Sequence, residues 1–324
     1  MYIVSPYLPE KVTTDFLVPE PIQNLIGQMY IHEDHDPPKF CLTKTGLTNR
    51  FSKVPRVDGP TEKAVLTYSG GKDTLQNLNW MEKEYGLENI LAVHFKGMNK
   101  VNSGDEYRMS VEQSRHIGFL LETINLLNGS KNHGHEIMRA RDMFIVGLTA
   151  PTAMRFGASK IILEGGYYGK DEGQGEPFTT HLYAWNLFNE TLKELGLPVQ
   201  ASWKDCDGVK AVEELSKHHP DWLALVANCF LPPHRRKSSR EKWLKNTPGL
   251  KPLGENCGSC VKCREVALGR IGVDPTLKTN DREIAFFVAD TVRYFHAHPE
   301  KRDFLVGSFE KKLRSLAQKH GIVF

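Results

Sequence analysis

No charge of one sign dominates this sequence. Its 42 Lys and Arg face 39 Asp and Glu, for a formal net charge of +3. A generic polyanion binder carries a far larger excess. There is also no long apolar run. The most apolar window, residues 223–231, falls well short of the roughly 20 residues that a membrane-spanning helix needs, and Asn228 interrupts it. The opening Met-Tyr-Ile-Val-Ser-Pro has no basic stretch leading into an apolar one, so no export signal is expected. Cysteine is scarce: six residues are too few for a disulfide scaffold. Internal repeats and low-complexity tracts are missing as well. Together these absences predict a soluble cytoplasmic protein with reduced thiols and no membrane partner.

What is present is ordinary globular material. Hydrophobic residues make up 40% and charged residues 25%, which excludes a disordered chain. At roughly 150 residues per domain, 324 residues correspond to two domains or to one large domain with extensions. Residues 1–62 read as an N-terminal extension. They hold Pro6, Pro9, Pro19, Pro21, Pro37, Pro38, Pro55 and Pro60 and little helical periodicity, with strand-like pieces at 2–4 and 40–43.

From 63 onward strands and helices alternate. Strands are predicted at 64–68, 89–95, 135–138, 160–163 and 199–203, and helices at 75–85, 111–127, 141–156, 178–195 and 208–216. Such alternation predicts an α/β fold: a doubly wound, five-stranded parallel sheet with helices on both faces, over 63–228. Residues 229–270 then form a small cysteine-bearing subdomain, irregular over 229–263. Residues 271–324 form a helical extension with amphipathic helices at 281–296 and 303–320, separated by Pro299.

The most informative segment is Ser69-Gly70-Gly71-Lys72-Asp73-Thr74, directly after one predicted strand and before one predicted helix. Two glycines accept backbone angles closed to other residues and let a ligand approach the main chain. Consecutive N–H groups at a helix start then form an anion-binding nest. Ser69 and Thr74 bring hydroxyls for phosphate oxygens, Lys72 brings positive charge, and Asp73 can order the loop or help to hold magnesium. The loop is neither a Walker A sequence nor Gly-x-Gly-x-x-Gly.

The second informative segment is Cys257-Gly-Ser-Cys260-Val-Lys-Cys263. Three thiols at this spacing can wrap a tetrahedral metal ion, and zinc needs a fourth ligand. Cys229 is the best candidate for it and His234 the fallback. Iron–sulfur binding is the alternative chemistry. The glycine after the first cysteine and the lack of a Cys-Pro pair favour zinc. Cys41 and Cys206 read as buried small hydrophobes.

The first segment resembles the PP-loop of the ATP pyrophosphatases, Ser-Gly-Gly-x-Asp-Ser, with Thr74 keeping the final hydroxyl. The resemblance implies an adenine nucleotide alpha hydrolase-like sheet that binds ATP and cleaves it between the α and β phosphates, adenylating an acid or carbonyl oxygen. Together with Cys229 and the three-cysteine segment, the chain is similar over roughly 63–270 to the 7-cyano-7-deazaguanine synthase family. That family uses ATP and ammonia to turn a deazaguanine carboxylate into an amide and then a nitrile, and its zinc is structural. The implied catalytic set is Asp73, Arg141, at a helix start, and Lys210, in Asp207-Gly-Val-Lys210, which would stabilise departing pyrophosphate. Glu164, Tyr167, Asp171 and Glu176 fall in the region of the family's substrate loop, where the family's Tyr-Pro-Asp-Cys-Arg stretch is replaced. The implied cofactors are ATP, Mg2+ and Zn2+. The implied substrates are a deazapurine-like acid and ammonia.

The basic run 234–242, His-Arg-Arg-Lys-Ser-Ser-Arg-Glu-Lys, leaves two other readings open. One is an ATP-dependent enzyme that modifies a tRNA or DNA base and grips phosphates there. The other is a nucleotide-binding regulatory or anti-phage defence component, with the terminal extensions as partner surfaces. Association with a second copy of the chain is also open. His94, on the second strand, falls near the expected adenosine pocket, and a packed strand histidine explains it equally well.

Overall fold

A computed structural model describes residues 11–14, 18–32, 36–42, 62–97, 103–126, 136–163, 178–204 and 206–324. The chain divides into two compact units. The first comprises 1–67, 88–93 and 128–205, and the second 68–87, 94–127 and 206–324.

In the first unit a small parallel pair joins β1 (Lys11–Thr14) to β2 (Lys39–Leu42), with Lys11 opposite Lys39. Between them runs α1 (Glu20–His32), where little helical character was expected. Its buried face is Leu25, Ile26, Met29 and Tyr30, one stripe at helical spacing. Pro21 falls in its first turn, where a missing N–H costs nothing. The strand piece expected at 2–4 lies outside the described residues.

The main sheet has five strands: β3 (Ala64–Thr67), β4 (Ile90–Lys96), β5 (Leu120–Asn125), β6 (Lys160–Ile162) and β7 (Gln200–Ser202). Their order is β5-β4-β3-β6-β7. The pairs β3–β4, β3–β6 and β6–β7 are parallel, with Ala64 opposite both Ile90 and Lys160, and Lys160 opposite Gln200. All of β3 and all but the last residue of β4 are buried, as strands covered on both faces require. The connecting helices are α2 (Lys72–Tyr85), α3 (Ser103–Ile117), α4 (Glu136–Phe156) and α5 (Leu182–Glu194). Strand order reverses about β3, the place where open α/β sheets present their ligand-binding loops. The α/β fold class expected from the sequence is therefore the one observed.

Two boundaries differ from expectation. The helix expected over 111–127 is α3 followed by β5. Gly118, at φ +95°, separates them, and its N–H caps Ser114 O. Residues 136–138 belong to α4, where a strand was expected.

The second unit continues with α6 (Gly208–His218), α7 (Pro220–Ala224), α8 (Pro233–Asn246), α9 (Val261–Arg270), α10 (Asp281–Ala297) and α11 (Gly307–Lys319). The basic run is helical: α8 replaces the irregular stretch expected there. It starts on Pro233, and Trp243 is its single buried residue. A capping box of Asn280 and Glu283 starts α10. Leu268, Phe287, Val288, Phe309 and Leu313 anchor the core beneath these helices. Among the described residues no helix is long and apolar enough to cross a membrane.

Candidate functional site

The phosphate-loop segment leaves the carboxyl end of β3 and enters α2 at Lys72. Gly70 takes φ +78°, a left-handed conformation that L side chains rarely adopt. A methyl group there would also crowd Gln113 Oε1 at 3.0 Å and Ser110 Oγ at 3.2 Å. The turn is held from several directions. Gln113 Nε2 donates to Gly70 O at 2.9 Å and Leu225 O at 2.8 Å, and the Tyr68 hydroxyl donates to Gln113 Oε1 at 2.8 Å. Ala227 N–H adds a bond to Gly70 O. Gly71 N–H reaches Ser69 Oγ at 3.3 Å, and the fully buried Thr74 hydroxyl donates to Gly71 O at 3.0 Å. Thr74 thus closes the turn from inside, while the first N–H groups of α2 face outward along the helix axis as in any helix start.

Lys72 is 1% exposed. A buried ammonium must be paired, and its Nζ lies 2.5 Å from Asp73 Oδ1 and 3.2 Å from Glu265 Oε2. Burial alone would lower its pKa, but Asp73 and Glu265 outweigh burial and hold it above the ordinary lysine value. Cys206 Sγ donates to Asp73 Oδ1 at 3.6 Å; burial, reinforced by Asp73, pushes that thiol well up, so it stays protonated at neutral pH. His94 is buried, with Nδ1 3.0 Å from Tyr68 O and 3.2 Å from Ser110 Oγ. Ser110 Oγ itself donates to Glu106 O, so Nδ1 carries the proton. Burial lowers the His94 pKa, which keeps the ring neutral.

The four cysteines converge. Cys229, Cys257, Cys260 and Cys263 are all buried, with their sulfurs within 4.8 Å of one another. Cys257 Sγ is 3.7 Å from Cys263 Sγ, which is 3.4 Å from Cys260 Sγ. A tetrahedral zinc with Zn–S bonds of about 2.3 Å spaces its sulfurs by about 3.8 Å, so the donor set fits one four-coordinate ion. Mutual hydrogen bonds among the thiols drive Cys257 below its ordinary pKa and push Cys260 and Cys263 above theirs. His234, the fallback ligand, lies exposed on α8 and outside this group.

The other site residues expected from the sequence stand on other elements or outside the described residues. Lys210 is exposed in the first turn of α6; its N–H bonds Asp207 Oδ1, the side chain that caps this helix. Arg141 lies one turn inside α4, in the first unit, paired with Asp142 at 2.9 Å. Glu164, Tyr167, Asp171 and Glu176 lie outside the described residues. Sequence reading overlooked Glu265, Gln113 and the placement of Cys206. Gln113 carried no signal, being a polar residue within a helix. Glu265 carried a faint one, as an acid two residues beyond the last cysteine of a motif.

No known family profile matches the chain, and no curated protein matches it in sequence. Among solved structures, the U34-tRNA thiolase NcsA from Methanococcus maripaludis, with its [4Fe-4S] cluster, is similar over 52% of this chain and 70% of its own. The two share 11% identity at a TM-score of 0.30. A likeness of that extent carries no argument about chemistry, and the chemistry proposed next rests on this chain's own residues.

Proposed function

We propose that the chain is an ATP-dependent adenylating enzyme of PP-loop type, acting on a substrate carboxylate in the manner of the 7-cyano-7-deazaguanine synthases. The observation that carries this reading is the turn at Gly70 and Gly71. It sits between a buried strand and the N-terminus of a 14-residue helix, with a buried lysine at its edge. Backbone N–H groups and the helix dipole there favour phosphate oxygens. In the proposed reaction the carboxylate oxygen attacks the α-phosphorus of ATP, the bond from that phosphorus to the α–β bridging oxygen breaks, and pyrophosphate departs. Ammonia then attacks the acyl carbon and AMP leaves. The protein's part is positioning and charge neutralisation. Ser69 and the α2 amides bind phosphate oxygens, Asp73 helps to hold magnesium, and Lys210 meets departing pyrophosphate. Arg141 belongs to the same proposal as a catalytic residue, and Glu164, Tyr167, Asp171 and Glu176 as substrate contacts. The four-cysteine group is proposed as structural zinc. The close sulfur spacing supports one ion, since in a cubane cluster each sulfur binds a different iron and the four stand further apart.

The test is incubation with ATP, ammonium and a carboxy-deazaguanine, following nucleotide products and base mass. AMP and pyrophosphate with a mass change are expected; ADP as product overturns the reading. A second reading, modification of an RNA or DNA base, is favoured by one observation. Helix α8 begins four residues after Cys229 and exposes Arg235, Lys237, Lys242 and Lys245. Formation of AMP that requires nucleic acid, with affinity falling steeply as salt rises, would select it.

A further inference from the structure

Lys72 raises a problem for any loop that must hand a carboxylate to a metal-bound nucleotide. Its ammonium is 1% exposed, and its nearest partner, Asp73, is the residue proposed to help hold magnesium. If Asp73 turned toward the metal ion and nothing else stood near, Lys72 would be left buried and unpaired, a costly state. The second carboxylate removes the problem. Glu265 Oε2 is buried, and Lys72 at 3.2 Å is its ionic partner, outside hydrogen-bond geometry; Lys262 Nζ is 3.9 Å away. Gly208 makes room for the pair: a methyl at that position would overlap Glu265 Oε1 and stand 2.7 Å from Lys72 Nζ.

The placement of Glu265 depends on the cysteine centre. Cys260 is the N-cap of α9, Cys263 lies in its first turn, and Glu265 follows two residues later. The centre reaches the loop by a second route. Ala227 N–H holds Gly70 O, and Cys229 follows two residues on, while Asn228 Nδ2 donates to Lys262 O at 3.1 Å. The four cysteines thus lie in the two backbone segments that carry these contacts to the phosphate turn.

We propose that Glu265 is a positioning residue of the phosphate loop: carried by the helix that the cysteine centre starts, it is the standing counter-ion of Lys72 and frees Asp73 for the magnesium of a bound nucleotide. This rests on the ATP-binding reading above. It makes a specific demand on ligand form. Binding Mg·ATP requires Asp73 to leave Lys72, whereas binding magnesium-free ATP does not.

The experiment is equilibrium binding of ATP, with and without magnesium, to the full chain with its metal in place. Glu265→Gln is expected to weaken Mg·ATP binding about tenfold or more and to leave binding of magnesium-free ATP within about twofold. Glu265→Asp, which keeps the charge, should recover most of the loss. Gly208→Ala, which displaces the same carboxylate, should reproduce the Gln phenotype and serves if the Gln variant does not fold. Equal weakening of both ligand forms would mean a merely structural role and overturn the proposal, as would unchanged Mg·ATP binding in a folded variant. If the unaltered protein binds neither form, the ATP reading itself fails and this inference goes with it.

Discussion

At the scale of the residue, the phosphate turn rests on two positions of opposite visibility. Gly70 is plain in the sequence, because a glycine pair between a strand and a helix announces a backbone that other residues resist. Its φ of +78° and the 3.0 Å approach of Gln113 Oε1 explain the requirement. Gly70→Ala should cost about 1–2 kcal/mol, read as a lowered unfolding midpoint in urea, and nucleotide affinity should fall with it. Gln113 is invisible in the sequence and just as necessary. One amide serves two carbonyls and one hydroxyl around the turn, those of Gly70 and Tyr68 buried and that of Leu225 partly so. Gln113→Ala should therefore cost about 2–3 kcal/mol, because Leu225 O and the Tyr68 hydroxyl lose partners that water cannot easily replace. A Gln113→Ala protein as stable as the parent in urea would show that the turn does not lean on this side chain.

At the scale of the element, legibility followed the apolar stripe. Buried strands β3 and β4 are short apolar runs and were readable as such. Helix α8 was not, because Pro-His-Arg-Arg-Lys-Ser-Ser-Arg-Glu-Lys-Trp-Leu-Lys-Asn buries only Trp243 and leaves no periodicity to detect. It is held by polar side chains instead. Arg236 donates to Leu231 O and to Asp105 Oδ2, and Arg240 to Gly254 O and Pro252 O. Strand β5 was misread for the converse reason. Leu120 is half exposed, no residue of the strand is buried, and so its leucines and isoleucine mimicked a helical face. The start of α6 makes a pH prediction. Asp207 accepts from Val209 and Lys210 at 3.2 Å, and from Ser308 N–H at 3.0 Å, so one carboxylate caps α6 and holds the first turn of α11. Burial alone would raise its pKa, but these donors outweigh burial and hold it below the ordinary carboxylate value. A depressed folded pKa means stability that is present above the unfolded pKa of about 3.9 and lost as pH falls through the folded value. Asp207→Ala should cost about 1–2 kcal/mol at pH 7. In denaturant titrations the gap between parent and variant should close below about pH 4. A gap that persists unchanged at pH 2.5 would mean that the carboxylate charge plays no part.

At the scale of the whole molecule, the candidate site gathers elements far apart in the chain into the second unit: the turn at 69–74, the helix carrying Gln113, the cap at Asp207, Cys229, and the segment 257–265. Each of the two motifs was legible by itself. That Lys72 meets Glu265 was not, because nothing local to either residue encodes the pairing. The same organisation predicts where metal loss is felt. Trp243 lies against Gly258, the residue after Cys257; a methyl on Gly258 would stand 2.7 Å from the indole Cγ. Its Nε1 donates to Leu250 O at 2.8 Å, and the Arg264 guanidinium sits 5.6 Å from its ring centroid. Of the five tryptophans, Trp185 and Trp203 belong to the first unit, 5.9 Å apart between centroids. Chelation of the proposed zinc would release four thiolates that repel or protonate and so loosen the turn over Trp243, whereas Trp185 belongs to the other unit. Treating the protein with a strong zinc chelator should red-shift tryptophan emission and lower the thermal midpoint, by about 2–4 °C for each 1 kcal/mol lost in a unit of this size. Returning zinc should reverse both changes. Trp243→Phe should abolish the emission change, and Trp185→Phe should preserve it. If Trp185→Phe abolishes it instead, the cysteine centre does not act through the helix packed upon it.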